Sequence, residues 1–219
     1  MRYVFFVLFG SLAAAHLFFC VPPVRHTLRK YTKPLLMPLL IGCYVTASSA
    51  PSLLIVLALA LGCVGDVLLL FPERPLFFKL GMASFAAGHI LYVVTFLSHL
   101  GGKPPFWLLA AAVAAYAAVI AVVLSLLMPA LPADMRVCSC VYTGLISLMS
   151  LSALLLAVTR AGVAPKFVFA GSLLFIVSDT LLSNVTFKKS LPWSYFSVML
   201  PYIAAQGCIA LGLAGMGGV

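Results

Sequence analysis

The chain has 219 residues, 64% of them hydrophobic and 8% charged, with 13 Lys and Arg against 4 Asp and Glu. Soluble domains run near ~45–50% apolar and ~25% charged, so this chain has too few charges to clothe a water-exposed surface. That excludes a soluble globular enzyme, a disordered chain and a nucleic-acid-binding domain; the +9 net charge reads as loop residues that orient a membrane protein and touch anionic headgroups.

At roughly 20 apolar residues per crossing, the expected fold is all-α: a polytopic transmembrane helical bundle of about eight spans, one integral membrane domain over residues 1–219. The first predicted helix, 3–21, follows Met1 and Arg2 much as a signal peptide does. Its run is long for that role, and residues 13–15 lead into His16 rather than a cleavage site, so it is read as a retained span. Segment 34–47 is short for a crossing and contains Pro38, which suggests a tilted or partly re-entrant helix. The remaining helices are expected over 51–71, 76–100, 104–128, 134–159, 165–187 and 192–216, and five of the eight open on proline. Proline is tolerated in a first turn because its missing N–H has no intrahelical partner there.

Loops after the first, third, fifth and seventh helices hold nine basic residues: Arg25, Arg29, Lys30, Lys33, Arg74, Lys79, Arg136, Lys188 and Lys189. The other side holds four: Arg2, Lys103, Arg160 and Lys166. The excess puts the first set in the cytoplasm and both termini outside. Trp107 and Trp193 lie near helix ends, as interfacial anchors do. The six cysteines (Cys20, Cys43, Cys63, Cys138, Cys140, Cys208) form no CxxC and read as small membrane residues rather than a disulfide framework. Gly65-Asp66-Val67-Leu68-Leu69 is echoed by Ser178-Asp179-Thr180-Leu181-Leu182, which suggests a four-plus-four parallel repeat.

Glu73 and Asp134 fall in expected loops and read as solvated, whereas Asp66 and Asp179 interrupt apolar helices. An intramembrane acid costs several kcal/mol if unpaired and is by default a functional candidate; the structural alternative is a carboxyl bonded across a helix pair. Counted from the cytoplasmic ends of their helices, the two acids lie roughly 8 and 12 Å inside the boundary at 1.5 Å per residue. If the third and seventh helices are neighbours, the pair lines one pocket. His89 shares a face with Tyr92, as Tyr202 does with Gln206, and Asn184 is near Asp179. All five are candidate substrate-binding residues, with inter-helix hydrogen bonding as the alternative. Lys33, supported by Arg29 or Lys30, is a candidate partner for an anionic group. The sequence leaves open which acid donates; Thr180, Ser183 and Asn184 beside Asp179 are the polar neighbours that could keep it ionised, with Asp66 then the protonated one. There is no HExxH, P-loop, GxGxxG or GxSxG, so no metal or organic cofactor is expected.

Lys33-Pro34-Leu35-Leu36-Met37-Pro38, Gly65-Asp66, Phe85 with Gly88-His89 and Tyr92, Tyr142 with Met149, Gly171 to Phe175 with Ser178-Asp179, and Tyr202 with Ala205-Gln206 occur in this order. Together they resemble the YhhN family of membrane proteins, whose characterised members are lysoplasmalogenases. The resemblance implies hydrolysis of the vinyl ether bond of a lysoplasmalogen, giving a fatty aldehyde and a glycerophospho-base. It implies Asp66 and Asp179 as the catalytic pair. The expected partners are then a lysophospholipid substrate and membrane lipids, with no nucleic acid, and the sequence leaves oligomeric state open. The expected location is the cell or inner membrane of a prokaryote, or the endoplasmic reticulum of a eukaryote, with the active site toward the cytoplasm. The alternative is a proton-coupled transporter or lipid-binding protein using the acids as a relay. An intramembrane aspartyl protease would need GxGD, and the chain offers only Val64-Gly65-Asp66 after Cys63.

Overall fold

The computed structural model describes residues 2–71, 74–188 and 192–217. Glu73 and Lys189 lie outside the described residues. Within them are eight α-helices, one 3-10 turn at Met128–Ala130 and no strand. The helices are α1 (Arg2–Cys20), α2 (His26–Ala47), α3 (Leu53–Leu68), α4 (Pro75–Ser98), α5 (Phe106–Leu127), α6 (Ala133–Thr159), α7 (Ala164–Phe187) and α8 (Ser194–Gly215). Six of them, α1 and α4 to α8, are long and apolar enough to cross a membrane. With α5 presenting Val113, Val119, Val122 and Leu126 outward, the apolar surface is one that lipid covers and water would not. The chain is a multi-pass membrane protein.

The second helix departs from the sequence expectation. It begins eight residues before Pro34 and is 22 residues long, with Pro34 and Pro38 both internal. It is therefore neither short nor re-entrant, and Arg29, Lys30 and Lys33 are helical rather than in a loop. An internal proline removes one i to i−4 bond, and two features absorb the loss. Pro34 leaves the carbonyl of Lys30 unpaired in an exposed turn, where it can be solvated. Pro38 leaves the carbonyl of Pro34 unpaired, and the Cys63 thiol of α3 donates to it at 3.4 Å. At the other end of this pair, α3 stops at Leu68, three residues earlier than expected, so Asp66 sits in its last turn.

Helices α2, α3, α4, α6, α7 and α8 pack in that order, each against the next, and α8 closes the ring on α2. α1 covers α2 and α8, and α5 lies outside against α6. α3 and α7 share no extended contact; they face each other across the ring rather than pack side by side. The most extensive packing, between α7 and α8, depends on small residues. A Cβ at Gly171 would stand 2.7 Å from the carbonyl oxygen of Ala205, and one at Gly212 2.9 Å from that of Ala164. Asp134, expected in a loop, lies in the first turn of α6, where a carboxylate meets the positive end of the helix dipole, and takes Lys79 of α4 at 2.7 Å.

Candidate active site

The ring encloses a cavity of about 430 Å³. It lies at the end where α1, α3, α5 and α7 finish and α2, α4, α6 and α8 begin. Asp66, Asp179, Lys33, Tyr202, Phe85 and Arg29 are among its walls, and the apolar remainder comes mostly from α7 and α8. The two intramembrane acids expected from the sequence thus meet in one space although their helices do not touch along their length.

Each acid has its own set of partners. On α3, the Asp66 side chain is buried and accepts from both sides: Lys33 Nζ of α2 lies 3.1 Å from Oδ1, and the Tyr202 hydroxyl of α8 donates to Oδ2 at 2.7 Å. The second bond crosses the ring. Gly65 makes the approach of α3 and α4 possible, because a Cβ there would fall 2.6 Å from the Phe85 ring. On α7, Asp179 accepts from the hydroxyl of Tyr142 on α6. Nε2 of His89, on α4, lies 3.2 Å from that same hydroxyl. No cation pairs with Asp179 among the described residues. Thr180 and Asn184 turn back onto their own helix, donating to the carbonyls of Ile176 and Thr180. The polar support read from Thr180 and Asn184 is therefore absent, and the charged partner belongs to Asp66.

Other candidates divide by position. Tyr202 reaches the cavity. Lys33 does too, but its ammonium is engaged by Asp66 rather than free for a phosphate. Tyr92 donates to Oε1 of Gln206 at 3.0 Å, and both side chains are buried. They tie α4 to α8 and do not line the cavity. His89 does not line it either and packs edge-on against Phe175 at 4.8 Å. The space bounded by Gly62, Phe85, His89, Tyr92, Phe175 and Gln206 has no room for a water molecule (≈ 0 Å³). Asn184 does not line the cavity. Sequence reasoning missed Tyr142 and Arg29 as separate site members. A tyrosine in the apolar first half of α6 was the available signal for Tyr142, since a phenol there needs a hydrogen-bond partner.

Among the described residues, no three His, Cys, Asp or Glu side chains are grouped to hold a metal ion. What the walls offer instead is acid–base chemistry: one acid paired with an ammonium and a phenol, and one that accepts from a phenol and, among the described residues, has no paired cation.

A sequence profile of the YhhN family matches residues 28–213. The chain belongs to the YhhN family. Every cavity residue named above falls within the matched span. Two curated relatives are both named lysoplasmalogenase TMEM86B. That of Sus scrofa is 32% identical over 158 residues, covering 72% of this chain and 62% of its own. That of Homo sapiens is 34% identical over 156 residues, covering 70% and 60%. This YhhN chain thus spans about three fifths of the length of the curated relatives it matches. No solved structure matches it.

Proposed function

We propose that this protein is a lysoplasmalogenase, a hydrolase that cleaves the vinyl ether bond of a lysoplasmalogen with Asp66 and Asp179 as its acid–base pair. The observation that carries the reading is the pairing of the two acids in one cavity with unlike partners. Family membership and the names of the relatives support it.

A vinyl ether resists base and yields to acid at carbon. The alkene π pair takes a proton at the carbon distal to oxygen, leaving an oxocarbenium ion. Water then adds to the carbon attached to oxygen and loses a proton, giving a hemiacetal. The hemiacetal hydroxyl gives up its proton as the C–O bond to glycerol breaks, the glycerol oxygen takes one, and the neutral aldehyde leaves. Two carboxyl groups answer an oxocarbenium problem of this kind in glycosidases. Asp179, which forms no ion pair among the described residues, is the group able to carry the proton to carbon. Asp66, held as a carboxylate by Lys33, faces the developing cation and takes the proton of the attacking water. Tyr142 and Tyr202 hold the two carboxyls in place through the bonds described above. Neither a metal nor an organic cofactor is needed for these steps.

Purified protein should release aldehyde from a lysoplasmalogen and none from the saturated ether analogue. Proton transfer to carbon should give a solvent deuterium isotope effect, and turnover should survive chelators. Absence of aldehyde release would overturn the reading, and loss of activity with chelator would replace it with a metal-assisted one. The basic end of the bundle carries the cavity mouth, so the site is proposed to open to the cytoplasm.

A further inference from the structure

Lys33 is committed to Asp66, which leaves the anionic end of a lysophospholipid without the partner expected for it. Three other cations stand in or just before the first turns of α2. Arg25 lies over Phe18 at 4.9 Å and Lys30 is 5.9 Å from Phe71; neither reaches the cavity. Arg29 does. Its guanidinium lies 3.7 Å over the ring of Tyr195, no carboxylate pairs with it among the described residues, and its Nε is buried without a hydrogen-bond partner. Stacking fixes a guanidinium by its face and leaves the remaining N–H donors free along its edges, which suits the two oxygens of a phosphodiester.

We propose that Arg29 binds the phosphodiester of the lysolipid and thereby sets the register of the scissile bond. The proposal rests on the lysoplasmalogenase reading. Spacing supports it. Arg29 and Lys33 are four residues apart on α2, a rise of about 6 Å, and Lys33 marks the level of Asp66. In the substrate, the path from phosphorus through the glycerol carbons to the ether oxygen is a short staggered chain whose bonds of about 1.5 Å carry it about 6 Å. A phosphate on Arg29 therefore places the vinyl ether beside the acids. A longer or shorter linker between phosphate and ether misaligns them.

The test compares wild type, Arg29→Gln and Arg29→Lys on a lysoplasmalogen and on the headgroup-free 1-O-alkenylglycerol. Losing a charge-assisted bond should raise KM for the lysoplasmalogen about 10- to 100-fold in Arg29→Gln. The preference over alkenylglycerol, measured as the ratio of kcat/KM, should fall by the same factor. Arg29→Lys should recover part of it, because an ammonium keeps the charge but not the fork. An equal loss on both substrates, or an unchanged KM for the lysoplasmalogen, would overturn the proposal. Binding of a saturated-ether lysophospholipid, which cannot be cleaved, judges the anion site without turnover. It should weaken about tenfold or more in Arg29→Gln, and equal affinity would overturn the site. If wild type releases no aldehyde yet binds this lipid through Arg29, the hydrolase reading fails and the anion site stands.

Discussion

Replacing a carboxyl by a carboxamide keeps its shape and one hydrogen-bond acceptor but removes both proton and charge. Asp66→Asn and Asp179→Asn should each lower kcat by about 10²–10⁴-fold, the usual worth of a general acid–base step. The double variant should be little slower than either one, because groups that act as a unit do not add. Steady-state aldehyde release checks both points, and a near-normal single variant would remove the acid–base pair. Tyr142→Phe tests the positioning of Asp179 separately. It takes away the hydroxyl that donates to Asp179 and meets His89 without touching Asp66, so kcat should fall about tenfold or more while KM stays within about twofold. A change confined to KM would assign Tyr142 to substrate contact instead. The two acids were legible in the sequence because a charge in an apolar helix stands out. Their partners were not: a hydroxyl on α6 and another on α8 are assigned to one acid or the other only by how the ring closes.

Among the elements, α2 shows how a local rule can mislead. Pro34 reads as a first-turn proline, yet the helix runs on toward the chain's start, because an exposed turn and a neighbouring thiol take up the unpaired carbonyls. Apolar run length located the other helices well, since a helix in lipid must satisfy its own backbone; ring order was not readable, because no local pattern says that α5 stands outside or that α3 and α7 face across a gap. The α7–α8 contact is the most extensive in the fold and invites a direct test. Gly171→Ala puts a methyl within 2.7 Å of a backbone carbonyl, which cannot rotate away. Overpacking of this kind costs about 1–3 kcal/mol, and the thermal midpoint of the detergent-solubilised protein should drop accordingly. An unchanged midpoint would mean the two helices have slack to separate.

For the molecule as a whole, the cavity stands at one end of the ring. Next to it the Phe175 and Tyr202 rings pack edge-to-face at 5.6 Å, and the space among Gly62, Phe85, His89, Tyr92 and Gln206 has no room for water. A proton-coupled transporter needs the acids to communicate with both faces of the membrane. Proteoliposomes holding the protein should therefore show no proton flux above empty vesicles, with or without lysolipid; flux that vanished in Asp179→Asn would favour the transporter reading. Span count and orientation remain a matter of accessibility. Cysteines introduced near Lys103 and near Arg74, at opposite ends of α4, should react with an impermeant reagent from opposite sides of the membrane. Labelling of both from one side would refute the eight-span topology.

The Lys33–Asp66 pair also bears on how the chain enters the bilayer. α2 carries three cations in its first turns, and α3 is only 16 residues long with an acid near its end; neither partitions well alone, since a lone charge at depth costs several kcal/mol. Joined as a hairpin, each neutralises the other's worst residue, so the two helices have reason to be inserted together rather than one after the other. The asymmetry of the pair makes this testable. A lysine freed of its acid can stretch its stem toward the headgroups, but a buried aspartate freed of its lysine has nowhere to go. Lys33→Ala should therefore reduce the amount of protein recovered in membranes, and adding Asp66→Asn to it should restore that amount while leaving the protein inactive, because removing both members of a buried pair costs far less than removing one.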